Sequence, residues 1–159
     1  MNTLRSRVDP KEQAEKWVHF HDRILAERSK VFILGFGNGL HVDLALQFNP
    51  KIHLQVLELG RNVESHYDRY SPDRVQIISV EKFDEIQLEP HLERILRENY
   101  SVVIFRPCWA EQQDQYMRIY AYLTCRSEEG FSAGKKILKS LHPTLNSEEA
   151  WFCLQQLVR

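Results

Sequence analysis

Val31-Phe32-Ile33-Leu34 runs straight into Gly35-Phe36-Gly37-Asn38-Gly39, and this junction constrains the fold more than any other stretch. Four consecutive apolar residues suit a strand buried on both faces, as in parallel sheets covered by helices. The glycines permit the positive φ of a sharp strand-to-helix turn and let a ligand approach the backbone with no Cβ in the way. Leu40, Val42, Leu44, Ala45 and Phe48 then predict a short helix, stopped by Asn49-Pro50. The start of such a helix presents free N–H groups and the positive end of its dipole, an arrangement that receives anions.

The rest of the chain repeats this strand–helix alternation. Asp9-Pro10-Lys11-Glu12 reads as an N-cap, a first-turn proline and a capping-box acid, opening a helix over 10–28 with Ala14, Trp17, Val18, His21, Ile24 and Leu25 on one face. After the first strand and its helix, the patterning predicts strands over 53–59, 75–79 and 101–106, with helices over 61–70 and 90–99 between them. Beyond Pro107 the pattern turns helical. A helix is expected over 110–125, a loop over 128–134 because it is polar and holds two glycines, a short helix over 135–141 and a last one over 147–158, capped by Ser147. Strands alternating with helices imply a parallel sheet with helices on both faces. Right-handed crossovers then give the strand order 3-2-1-4. The expectation is a three-layer Rossmann-like α/β domain, 1–159, with an N-terminal helix (10–28), a βα core (31–125), a C-terminal helical segment (126–159) and a methyltransferase-like first half.

Composition narrows the function classes. The 21 basic and 22 acidic residues balance to a net charge of −1, unlike the basic excess of a dedicated nucleic-acid binder. Three cysteines (Cys108, Cys125, Cys153) form no CxxC pair, so reduced cytosolic thiols are expected rather than a disulfide framework or a zinc site. Seven histidines show no HExxH or similar ligand spacing, so no metal is expected. The polar stretch Met1–Pro10 lacks the apolar core of a secretory signal, and no 18-residue apolar run occurs. These features predict a cytoplasmic chain with no membrane span.

The candidate ligand site is Gly35, Gly37, Asn38 and Gly39 with Glu58. The glycines are spaced GxGxG, closer to S-adenosylmethionine-binding folds than to the GxGxxG of dinucleotide sites. Glu58, nineteen residues after Gly39, closes the second strand, where a carboxylate can accept both hydroxyls of a ribose. The plain structural alternative is that the glycines serve only the turn and that Glu58 is a surface cap. Arg106-Pro107-Cys108-Trp109 leaves the fourth strand facing the glycine turn across the switch point. There Arg106 can meet an anion. Trp109 can stack on a base, although packing on the following helix is the simpler reading. Cys108 suits a reactive or an inert thiol equally, and His41 reads as a satisfied helix-start histidine. No set of acid, base and nucleophile stands together.

Ser6-Arg7-Val8-Asp9-Pro10-Lys11-Glu12-Gln13-Ala14-Glu15, then Val31 to Val42 (VFILGFGNGLHV), then Glu58, resemble the N-terminal region of the motility accessory factor family. Leu40 stands where that pattern has an aromatic before His41, and Gln13 interrupts its acid–alanine pair. The resemblance covers roughly residues 5 to 110 and implies an accessory role around bacterial flagellin glycosylation. In those proteins transfer is assigned to a separate domain. Roughly 50 residues follow the fourth strand, too few for that domain, so the resemblance carries over neither glycosyl transfer nor a catalytic residue. Two functions follow as expectations. One is a nucleotide- or partner-binding accessory domain, not independently catalytic. The other is a small S-adenosylmethionine-dependent methyltransferase, a reading weakened by the helical character of 110–159 and by Arg106 at the exit of the fourth strand. Hydride transfer with NAD is weaker still.

Overall fold

The computed structural model describes residues 9–60 and 64–155. Four parallel strands form one sheet: β1 (Lys30–Leu34), β2 (His53–Leu59), β3 (Val75–Val80) and β4 (Ser101–Ile104). Their spatial order is β3-β2-β1-β4, with Leu34 paired to Leu57 on one side and to Ile104 on the other. The chain therefore has the Rossmann-like α/β fold read from the alternation, with the topological switch between β1 and β4.

Among the described residues, seven α-helices flank the sheet. On one face lie α1 (Pro10–Phe20), α2 (Asp22–Glu27) and α3 (Leu40–Phe48); on the other lie α4 (Glu85–Glu98), α5 (Gln113–Leu123), α6 (Glu128–Leu141) and α7 (Ser147–Gln155). The pleat of β1 divides the core accordingly. Val31 and Ile33 join Trp17, Leu25, Val42 and Ala45, whereas Phe32 and Leu34 join Leu92, Tyr116, Ile119 and Leu154. Both sides of β1 are apolar, and Val31–Leu34 reads as an unbroken hydrophobic run for that reason, whereas Gln55 and Glu58 interrupt β2.

Several elements depart from the expected boundaries. The N-terminal helix breaks at His21, whose N–H and ring both engage the Trp17 carbonyl. Asp9 caps it as expected, but Glu12 pairs with Lys16 at 3.1 Å. The helix after β2 is a 3₁₀ segment, Glu64–Arg69; residues 61–63 lie outside the described residues. Helix α4 starts at Glu85, five residues before Pro90, because Asp84 accepts the Ile86 N–H and Leu88, Leu92 and Ile95 bury on one face. Two 3₁₀ turns, Arg106–Cys108 and Ala110–Gln112, precede α5.

The expected loop over 128–134 is helical. Ser127 caps α6 by accepting the Gly130 N–H at 3.0 Å, and the two glycines allow close packing. A Cβ at Gly130 would lie 2.4 Å from the Tyr122 carbonyl oxygen. The cap of α7 is Asn146 rather than Ser147. Asn146 Oδ1 accepts the Glu149 N–H, and Glu149 Oε1 accepts the Asn146 N–H, a reciprocal capping box. Expected helical residues 156–158 lie outside the described residues.

Candidate functional site

The glycine turn and Glu58 meet at the carboxyl edge of the sheet. The Gly37 N–H donates to Glu58 Oε2 at 2.9 Å, so position 58 and the turn border the same place. Glu58 is 1% exposed, however, and its other oxygen, Oε1, accepts the Tyr116 hydroxyl at 2.6 Å. That phenol also accepts the Leu59 N–H at 2.9 Å. Burial, followed by the Glu58 charge, raises the Tyr116 pKa, so the phenol stays protonated and keeps donating.

The backbone donors of the turn are engaged in the same way. Gly35 N–H donates to the Leu57 carbonyl, Gly39 N–H to the Phe36 carbonyl and Leu40 N–H to Asn38 Oδ1. Asn38 itself is exposed, and its carbonyl oxygen accepts from Arg69 at 2.7 Å. Arg69 also pairs with Asp43, as does the Tyr70 hydroxyl at 2.6 Å, fastening the start of α3 from outside.

The chain after β4 covers the turn. Trp109 is buried and donates from Nε1 to the Leu34 carbonyl at 3.0 Å, while its ring stacks on Tyr116 with centroids 4.9 Å apart and planes 5° from parallel. Trp109 thus packs on the following helix, the simpler of its two expected roles. Cys108 is half-buried with its Sγ–H toward the Phe105 carbonyl at 3.3 Å, and a Cβ on Gly35 would meet that sulfur at 2.5 Å. Arg106 is exposed, its guanidinium 5.7 Å from the Trp109 ring centroid.

His41, at the start of α3, lies behind the turn. It is fully buried, stacks on Phe105 with centroids 3.6 Å apart, and donates from Nε2 to the Gly35 carbonyl at 2.9 Å. Desolvation pushes its pKa down to about 3, so the neutral ring is the one that packs. Its Nδ1 has no hydrogen-bond partner among the described residues.

Sequence reasoning brought the glycines and Glu58 together but passed over Tyr116. The phenol that takes up the carboxylate stands 58 residues along the chain, and it reads simply as one apolar position of α5. Among the described residues no group of three or more His, Cys, Asp or Glu is placed to hold a metal ion, and no helix is long and apolar enough to cross a membrane.

No family model, curated protein or solved structure matches the chain.

Proposed function

We propose that this chain is a Rossmann-like binding domain, not independently catalytic, that works through a protein partner. One observation carries the reading. The carboxylate that would take a ribose diol spends both oxygens on protein donors, Gly37 N–H and Tyr116 O–H. A nucleotide would have to displace a buried, charge-assisted hydrogen bond, each worth about 1.5–3 kcal/mol, and part the Trp109–Tyr116 stack as well. The turn then serves as a keystone for β1, β2 and α5 rather than as a phosphate cradle. The resemblance to motility accessory factors makes flagellin the partner class to test.

The experiment is calorimetric. Titration with S-adenosylmethionine, S-adenosylhomocysteine, NAD or CMP is expected to give no saturable heat, whereas purified flagellin is expected to bind saturably. The competing reading, a small methyltransferase, draws on the adjacency of Gly37 and Glu58. Saturable binding of the methyl donor that disappears in Glu58→Gln would replace the partner reading with that one. Absence of flagellin binding would remove the proposed partner class.

A further inference from the structure

A polar cavity of about 430 Å³ opens at the opposite, amino-terminal edge of the sheet. Its walls come from the starts of β1, β2 and β3 and from the C-terminal half of α4. Lys30, Arg74 and Arg94 line it with three cations, against the two carboxylates of Asp73 and Glu98. Glu98 is heavily used: Lys30 Nζ lies 2.9 Å from one oxygen, and Arg94 and Arg97 lie 3.5 and 3.7 Å from the other. The Lys30 hydrogen bond is the leading reason that the Glu98 pKa is lowered. Arg74 pairs with no carboxylate among the described residues; it donates to the Lys51 carbonyl at 2.8 Å.

The floor is a chain of amides. Gln76 Oε1 accepts from Gln55 Nε2 at 2.6 Å and from Arg94 Nη1 at 2.9 Å. Gln55 is 4% exposed, and its Oε1 has no hydrogen-bond partner among the described residues. Turning the Gln55 amide over would set two oxygens against each other at Gln76, so the bare atom stays an acceptor. A buried acceptor without a donor is unfavourable by about 1–3 kcal/mol.

We infer that this cavity binds a small oxyanion that also carries a hydroxyl, such as a phosphate monoester or a hydroxycarboxylate, held by Arg74, Arg94 and Lys30. Guanidinium groups match the paired oxygens of either anion, and the lining has one positive charge in excess. An oxyanion that draws Arg94 off Gln76 loosens the amide chain, and the ligand hydroxyl then supplies the donor that Gln55 lacks. The inference is independent of the partner reading, because it involves the other edge of the sheet and none of the residues around Glu58.

Nuclear magnetic resonance titration tests it, with glycerol 3-phosphate and glycerate as probes at constant ionic strength made up with chloride. Saturable amide shifts are expected around positions 30, 53–55 and 74–76, together with movement of the Gln55 side-chain amide. Arg74→Gln, on a half-exposed side chain, is expected to weaken binding about tenfold, with Arg74→Lys in between. Saturation by the phosphate alone identifies a phosphate ester as the ligand class, and saturation by glycerate alone a carboxylate. No saturation by about 20 mM of either probe, equal shifts with chloride, or unchanged affinity in a folded Arg74→Gln protein would overturn the assignment.

Discussion

Gly35 has φ +118°, and a Cβ there would sit 2.5 Å from Cys108 Sγ and 2.7 Å from the Phe105 carbonyl oxygen. Any side chain adds backbone strain of about 1–2 kcal/mol to an overpacking term of about 1–3 kcal/mol. Gly35→Ala is therefore expected to destabilise the protein by about 2–5 kcal/mol in urea unfolding, with or without a ligand. Tyr116→Phe isolates the other side of the same contact. It keeps the ring on Trp109 but leaves Glu58 Oε1 and the Leu59 N–H without that hydroxyl. A loss of about 1–3 kcal/mol is expected for buried groups stripped of a partner. A change below about 0.5 kcal/mol would show that the hydroxyl does not hold Glu58. These two residues illustrate where the chemistry of the chain was readable and where it was not. Glycines beside an apolar run announce a turn by themselves, whereas nothing in the local sequence says that a tyrosine fills the space the turn leaves.

Two helices make opposite predictions from residues that both disfavour helix on propensity grounds, proline more than glycine. Pro90 lies inside α4 and deprives it of one N–H donor. Pro90→Ala is expected to raise stability by up to about 3 kcal/mol, read as a higher melting temperature, since Leu88, Leu92 and Ile95 already anchor the helix on both sides of it. Gly130 lies in the first turn of α6, where alanine would ordinarily gain about 1 kcal/mol. There the Cβ would approach the Tyr122 carbonyl oxygen to 2.4 Å, so Gly130→Ala is expected to lower the melting temperature. Propensity misplaced both boundaries for the same reason. Packing of the apolar stripe on the sheet outweighs a single unfavourable residue, and a glycine at a helix–helix contact is chosen for its size.

Across the whole molecule, buried imidazole ties stability to pH. The His41 pKa falls from 6.5 to about 3 on folding, and burial lowers those of His21 and His91 as well. A depressed folded pKa means that the unfolded chain takes up protons first, so this stability is complete above pH 6.5 and is lost as pH falls toward about 3. His41 alone is expected to remove about 2 kcal/mol between pH 7 and pH 5, measured by urea unfolding. The slope is expected to flatten in His41→Gln; an unchanged slope would place the protons elsewhere. The layered architecture, by contrast, was legible from the chain alone. Strand segments four to seven residues long and rich in apolar residues, alternating with helical stripes, leave few arrangements besides a parallel sheet covered on both faces, and crossover handedness then orders the strands. The adjacency of the glycine turn and Glu58 follows from that topology too. What only the tertiary structure decided is how the carboxyl edge is filled, because Tyr116, Trp109 and Cys108 reach the turn from beyond β4 through contacts that span up to 75 residues. Local periodicity records which side of a helix is apolar, but not which buried group its one hydroxyl will meet.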